Sequence, residues 1–301
     1  MELTKRKIFD VFLFFNELDL LEIRLNTLYK IVDYFVITEI DETFSGQPKE
    51  LIFKKNKKRF KEFEKKIIYN PIKKNDLQIL KNCELEIYTS NFNISLNHKH
   101  NGRPAKKIKD SLKREINHRD SCILGFYKLA SPNDLILLSD LDEIPNPITI
   151  KEFINKPIDN AYYFKMKWYL YWINNKVSEN WFGTVLFEFN YLKGKSLDNL
   201  RLASSKESLV PGQIVNNGGW HFSYLGGTEA IKTKLNAHPF QGYKVLIARF
   251  LDKLKFRSIK KTVKQNKDIL FQKRNLRKVY IDETYPEAIL KNQKFIKKYS
   301  F

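Results

Sequence analysis

Apolar positions along this chain fall into two periods. Lys7 to Phe15 is a nearly unbroken apolar run, the pattern of a strand buried on both faces of a parallel sheet. Leu18, Leu21, Leu25 and Leu28 then recur at spacings of three and four, which predicts a helix packed on that sheet and capped by Asn16, with Asp19 three positions on. Tyr34 to Ile40 reads as the next strand, giving a strand, helix, strand unit with a right-handed crossover. Ile67 to Ile72 and Leu85 to Thr89 are further predicted strands, with a lysine-rich helical stretch around Asn56 to Lys66 before them and a polar loop over Asn91 to Pro104 after them. From Lys106 to Ala130, Ile108, Leu112, Ile116, Ile123 and Phe126 share one helical face, and Ser131-Pro132-Asn133 ends that element. Leu135 to Ser139 is then a short, fully apolar strand.

Beyond Pro147 the texture changes. Tyr162 to Ile173 and Trp181 to Leu192 are aromatic-rich runs of strand character, and the polar Asn174 to Asn180 between them reads as the connection of a hairpin-like pair. Gly218-Gly219-Trp220-His221-Phe222 opens another short strand, and from Thr228 onward the pattern is mostly helical and basic, interrupted at Pro239 and Pro286. There is no internal repeat and no clear linker. The expectation is one α/β domain over 1–301, with a first half over 1–147 and an elaborated second half over 148–301. Its sheet is expected to be mixed but mainly parallel, flanked by helices, with a helical basic C-terminal part.

Composition narrows the class. With 301 residues, 43% of them hydrophobic, the chain can bury a large core, which excludes disorder and a peptide-sized scaffold. Cys83 and Cys122 lie far apart and carry no metal or disulfide spacing. The apolar stretch Ile8 to Phe15 is too short to span a bilayer, contains Asp10 and lacks a small-residue cleavage site, so a cytoplasmic location is expected. Charge comes to 54 Lys+Arg against 34 Asp+Glu, or +20, spread along most of the chain. Spread lysine fits a solvated surface or an acidic partner: a phosphorylated small molecule, an anionic membrane face or nucleic acid. Arg clusters and nucleic-acid module signatures are missing, so no nucleic acid is expected.

The most informative stretch is Asp134 to Pro145, where the apolar strand runs into Ser139-Asp140-Leu141-Asp142-Glu143-Ile144-Pro145. Side chains alternate along a strand, so Asp140 and Asp142 can point the same way into the crevice at the carboxyl edge of the sheet, where α/β proteins bind ligands. Two carboxylates there suit Mg²⁺ or Mn²⁺ bridging the diphosphate of a nucleotide. Roughly one D-x-D arises by chance in a chain of this length, so placement after the strand carries the inference.

Several ordered pieces resemble glycosyltransferase family 17, the family of bisecting β-1,4-N-acetylglucosaminyltransferases, over most of the chain. They are Asp10-Val-Phe-Leu-Phe-Phe-Asn-Glu-Leu-Asp19-Leu-Leu-Glu22-Ile-Arg24-Leu, the Glu39 strand end with Thr43-Phe44-Ser45-Gly46, His118-Arg119-Asp120, the Asp140 to Pro145 stretch, and Gly219-Trp220-His221-Phe222-Ser223. Asn266-Lys267-Asp268 with Phe271 and Arg274 departs from the family pattern there by a lost Gly and an inserted residue. The resemblance implies a GT-A fold and metal-dependent, inverting transfer from a UDP-sugar, with N-acetylglucosamine as the sugar and a glycan or glycolipid as acceptor. It also brings the chain close to soluble bacterial or viral forms of a family whose eukaryotic members are membrane-anchored.

On that reading Asp142 is the direct metal ligand, Asp140 reaches the metal through water or binds the ribose, and His221 completes the metal shell. Glu39, Asp41, Arg119, Asp140, Leu141 and Glu143 are the expected nucleotide-sugar contacts; Arg119 either pairs with the diphosphate or holds the aspartates, and Glu143 either orients them or starts a helix. Glu188, in an apolar strand that would raise its pKa, is the expected base, with Glu179, Asp198, Glu207 and Glu229 as competitors. Trp172, Trp181 and Trp220 are the expected acceptor-binding aromatics, chosen from a set that includes Trp168, Tyr169 and Tyr171. The lysines at 253, 255, 260, 261 and 264 suggest peripheral contact with an anionic membrane. Two alternatives stand beside this reading: a retaining or differently specific nucleotide-sugar transferase, and a non-catalytic binder of anionic membranes or nucleic acid.

Overall fold

The computed structural model describes residues 6–77, 86–89, 92–95, 110–203, 213–237, 259–265, 267, 269 and 274–301. Strands β1 (Ile8–Phe14), β2 (Tyr34–Ile40), β3 (Ile67–Ile72) and β6 (Leu135–Asp140) form where the apolar runs place them. They pair in the order β3-β2-β1-β6, all parallel. β1 is buried along nearly its whole length because it lies between β2 and β6 with apolar layers on both faces. Helix α1 (Leu18–Leu28) crosses over from β1 with Leu21, Leu25 and Leu28 buried. Its cap is Glu17 rather than Asn16, whose own amide donates to the Glu17 carboxylate.

The second half continues the same sheet in mixed sense. β6 pairs antiparallel with β9 (Asn175–Glu188), β9 with β8 (Tyr162–Leu170), β8 runs parallel to β10 (Ile214–Ser223), and β10 pairs antiparallel with β7 (Glu143–Pro145). A short β11 (Leu276–Lys278) lies against β9. The sheet is therefore mixed and not mainly parallel: the four-residue connection between β8 and β9 is too short for a crossover and closes antiparallel. That connection turns on Tyr171, at φ 70°, and lies before the polar stretch from Asn174. The stretch is strand, with Val177 paired to Leu276 of β11.

Other elements are smaller. A short α2 (Ile52–Asn56) leads into a 3-10 stretch, Lys57–Lys66, and the expected loop after residue 91 contains β5 (Phe92–Ser95), paired with β4 (Glu86–Thr89). The long predicted helix is α3 (Asp110–Asp120), followed by a 3-10 turn rather than continuing to Ala130. Further along lie α4 (Pro147–Lys151), α5 (Leu197–Ala203), α6 (Gly227–Ala237), α7 (Ile259–Lys264), α8 (Glu287–Leu290) and α9 (Gln293–Tyr299). One apolar cluster joins Phe12, Phe35 and Leu137 to Phe164, Met166 and Leu186, so buried packing crosses from one half to the other. Cys122 is buried, and burial pushes its thiol up to about 12, which suits an inert core residue. Cys83, Lys253 and Lys255 lie outside the described residues. Among the described residues no helix is long and apolar enough to cross a membrane.

The C-terminal helix is tied to α1 through Asp19, which accepts from Lys298 at 2.7 Å, Tyr299 at 2.9 Å and Arg59 at 2.7 Å. Burial pushes the Asp19 carboxyl up, but these donors outweigh it and hold it at about 2, below its ordinary 3.8. A depressed pKa contributes stability above the unfolded value and loses it as pH falls through the folded one. Asp19→Asn is therefore expected to cost about 1–2 kcal/mol at neutral pH. Urea melts should show this gap narrowing between pH 4 and pH 2; a pH-independent gap would assign the loss to packing.

Candidate active site

The site is built on the turn between β6 and β7. β6 leaves β9 after Leu138 but stays beside β1 up to Asp140, so the chain opens at the carboxyl end of the parallel strands. Four carbonyls then need donors inside the protein. Arg24 of α1 supplies most of them: its Nη1 donates to the carbonyls of Asp140 at 3.0 Å, Leu141 at 3.1 Å and Glu143 at 2.8 Å. Its Nη2 donates to Ser139 Oγ at 2.6 Å, and Nε and Nη2 form a fork on Asp10 of β1 at 2.8 and 2.6 Å. Both Arg24 and Asp10 are fully buried. The fourth carbonyl, that of Asp142, accepts from the Phe222 amide at 2.8 Å.

Glu143 closes the turn from within. One oxygen accepts from the Asp140 amide at 3.0 Å, the other from Trp181 Nε1 at 2.5 Å and from Arg201. It is buried, and burial pushes it up against the pull of Arg201. With both oxygens engaged, Glu143 orients the turn and does not face a ligand. Leu141 is likewise buried in the core, with its carbonyl on Arg24.

The two aspartates take different partners. Asp142 Oδ2 accepts from Lys234 of α6 at 2.6 Å, and its Oδ1 lies 3.6 Å from His221 Nε2 on β10. Burial would raise this carboxyl, but Lys234 and His221 outweigh it and hold it well below the usual carboxylate range. Asp140, 37% exposed, stands 3.4 Å from both Arg119 and Arg201, which lower it against burial. Arg119 also pairs with Asp198 at 2.5 Å and Glu115 at 3.2 Å, so it holds carboxylates rather than standing free. Lys234 continues to Glu17 at 3.3 Å. Among the described residues, Arg119, Arg201 and Lys234 thus link Glu17, Glu115, Asp140, Asp142, Glu143 and Asp198 into one ionic cluster. Glu115 is pushed up by burial, against the pull of Arg119 and with Asp198 and Asp140 nearby.

His221 reaches this position because β10 passes close to β7. At Gly219, φ is +131° and a Cβ would fall 2.1 Å from the Ile144 carbonyl oxygen, so no other residue fits there. The His221 ring packs with Trp168 at 5.9 Å and Trp181 at 4.5 Å, and Arg274 lies 4.6 Å over the outer ring of Trp168. His221 Nδ1 is buried without a hydrogen-bond partner among the described residues. A carboxylate and an imidazole 3.6 Å apart are close enough to share one divalent cation whose other positions go to water and phosphate. Among the described residues no three His, Cys, Asp or Glu side chains converge on one point, so the expected trio of Asp140, Asp142 and His221 is not gathered there. Asp140 is drawn away by the two arginines.

Other expected site residues lie elsewhere. Glu188 pairs with Leu135 at the opposite end of β6, roughly 16 Å along the strand from Asp140, and is held by Arg6 at 2.6 Å and the Ile158 amide at 3.1 Å. It cannot serve as base at this turn. Glu39 is buried and spends its oxygens on the Phe53 amide, Tyr69 and Lys49, fastening the start of α2 instead of a nucleotide. Asp41 accepts from the Lys74 amide at 2.7 Å. Trp172 packs on Phe301, and Trp220 faces away from His221 with its Nε1 on the Thr284 carbonyl; only Trp181 of the three joins the site, together with Trp168. Of the competing bases, Asp198 is tied to Arg119, Glu179 and Glu229 are exposed, and Glu207 lies outside the described residues, as does Asp268.

Arg24→Met would leave Asp10 charged and unpaired in the core, and is expected to cost about 3–5 kcal/mol. Asp10→Leu/Arg24→Met should recover most of that loss in urea denaturation, since well-packed apolar residues replace a buried pair at little cost. Equal stability of the single variant and the parent would refute the pairing.

A model described as glycosyltransferase family 17 matches residues 1–90 and 91–280. No curated protein matches the chain. With nearly its whole length matched, and the acidic turn, the Gly219-Trp220-His221 strand and Arg24 inside the matched region, the chain belongs to glycosyltransferase family 17.

Proposed function

We propose that this glycosyltransferase moves a sugar, N-acetylglucosamine, from a UDP-sugar to a glycan or glycolipid hydroxyl with inversion, at the crevice over the Asp140–Glu143 turn. The observation that carries the reading is the pair Asp142 and His221, 3.6 Å apart beside the Trp168 and Trp181 rings. Asp142 and His221 would hold Mn²⁺ or Mg²⁺, whose chemistry is to neutralise the phosphates of the departing nucleotide. Asp140, the more exposed of the two aspartates, is left to ribose hydroxyls. Arg119 and Arg201 keep Asp140 ionised and aimed outward. The rings of Trp168 and Trp181 offer the apolar face on which a hexose packs. A soluble, cytoplasmic protein with peripheral membrane contact through its basic C-terminal part fits this reading, and flotation with anionic vesicles tests that contact.

Hydrolysis and transfer with a panel of UDP-, GDP- and CDP-sugars test the donor. The expected result is manganese-dependent turnover of a UDP-sugar, with loss of at least about 100-fold in Asp142→Asn and a product anomer opposite to the donor's by NMR. Turnover unaffected by chelation and by Asp142→Asn would overturn the metal reading, and retained configuration the inverting one. Glu188→Gln should keep its specific activity within about twofold, because the side chain lies at the other end of β6.

A further inference from the structure

On the sheet face turned away from the acidic turn lies a second concavity. Residues alternate sides along a strand, so Trp168 and His221 face the site while Lys167 and Trp220, paired in register on β8 and β10, face the reverse side. There they floor a cleft of about 1280 Å³, walled by α1 near Lys30, the start of α4, and the segment from Glu283 to Gln293. This volume exceeds that of an ordinary small-molecule pocket and accommodates several sugar rings.

Its lining is basic and amide-rich. Lys165 and Lys167 alternate on β8, Lys176 approaches from β9, and all three are partly buried. None of the three forms an ion pair with a carboxylate among the described residues. Burial lowers Lys167, and Lys176 beside it lowers it further against the weaker opposing pull of the exposed Asp282, so two ammonium groups face one cleft with no carboxylate paired to either among the described residues. Asn180 and Asn216 leave their side-chain amides without hydrogen bonds inside the described protein and line the same cleft. The carboxylates of the lining are Glu152, Glu283 and Glu287, all exposed at the rim, and Glu287 is already neutralised by Lys291. Trp220 is held with its Nε1 on Thr284, and Tyr285 with its hydroxyl on the Ile173 carbonyl, so the aromatic part of the lining is preorganised.

We propose that this cleft is a second binding site, separated from the donor site by the sheet, that takes an acidic oligosaccharide: carboxylate or phosphate groups on Lys165, Lys167 and Lys176, hydroxyls on the free amides, and a sugar face against Trp220. Lysines suit such anions as point charges, and amides suit hydroxyls, which both donate and accept. The proposal goes beyond the donor reading and stands without it.

The test uses the full chain and measures binding of fluorescent hexagalacturonate, with neutral chitohexaose and a short DNA duplex as comparison probes. Hexagalacturonate should bind, and Lys167→Glu/Lys176→Glu should weaken it at least tenfold. Lys58→Glu/Lys61→Glu, an equal charge change on the exposed 3-10 stretch, should change it less than twofold, and Asp142→Asn should leave it intact. Should the glutamate pair fail to fold, Lys167→Gln/Lys176→Gln is read instead, with an expected loss of at least threefold. Equal losses from the two charge-reversal pairs, or no binding of hexagalacturonate, would overturn the proposal. Tighter, cleft-dependent binding of the duplex would replace it with a nucleic-acid site. Loss of sugar transfer in Asp142→Asn without loss of hexagalacturonate binding would show the two sites to be independent.

Discussion

A guanidinium buried beneath the acidic turn is the constraint on which the rest of this structure depends. Arg24 costs a great deal to desolvate, and it persists because its donors meet the Asp10 carboxylate, Ser139 Oγ and three backbone carbonyls. The consequence is geometric. With its carbonyls turned inward onto one cation and the Phe222 amide, the turn is pinned at four successive residues, which leaves the Asp140 carboxylate half-exposed and the Asp142 carboxylate buried against Lys234 and His221. A helix laid down by the leucine repeat near the start of the chain thereby sets the shape of a turn more than a hundred residues later.

Above that turn carboxylates and cations interlock. Arg119 and Arg201 serve Asp140, and Lys234 and His221 serve Asp142. Lys234 is the informative member. It bridges Asp142 to Glu17 at the start of α1, and its ammonium is raised against burial by those two carboxylates, as a built-in counter-ion would be. A divalent ion on Asp142 would compete with that ammonium for the same carboxylate, so the position of α6 and the loading of the site are coupled through one side chain.

How much of this was legible in the sequence depends on the range of the interaction. The apolar runs placed β1, β2, β3 and β6 within a residue or two, because burial on both faces leaves an unambiguous pattern. The Asp140 to Glu143 turn was legible for the same reason, since it follows a buried strand. Alternation also encodes which sheet face a side chain takes, and it separates His221 from its neighbour Trp220 on β10. It does not encode which end of the sheet a residue reaches, and Glu188 was misread on that account: an apolar strand raises no carboxylate into a crevice that lies at its other end. Trp220 lies away from the acidic turn for a related reason, since it neighbours His221 in sequence but takes the opposite face. Glu39 looked free because the amide of Phe53 and the hydroxyl of Tyr69 that consume it come from later elements. Arg201 and Lys234 carry no local signal at all, each being one cation on a helix of a lysine-rich chain. Asp10 and Arg24 had one: a charged residue inside an apolar strand and another on an apolar helix face must meet to be buried.

The most direct test of the account is an anomalous difference map from crystals grown with Mn²⁺ and UDP. The account predicts one manganese peak within bonding distance of the Asp142 carboxylate and His221 Nε2, with the Lys234 ammonium moved off Asp142 and the Arg24 bonds to the turn unchanged. Nucleotide bound with Lys234 still on Asp142 and no peak beside His221 would contradict it.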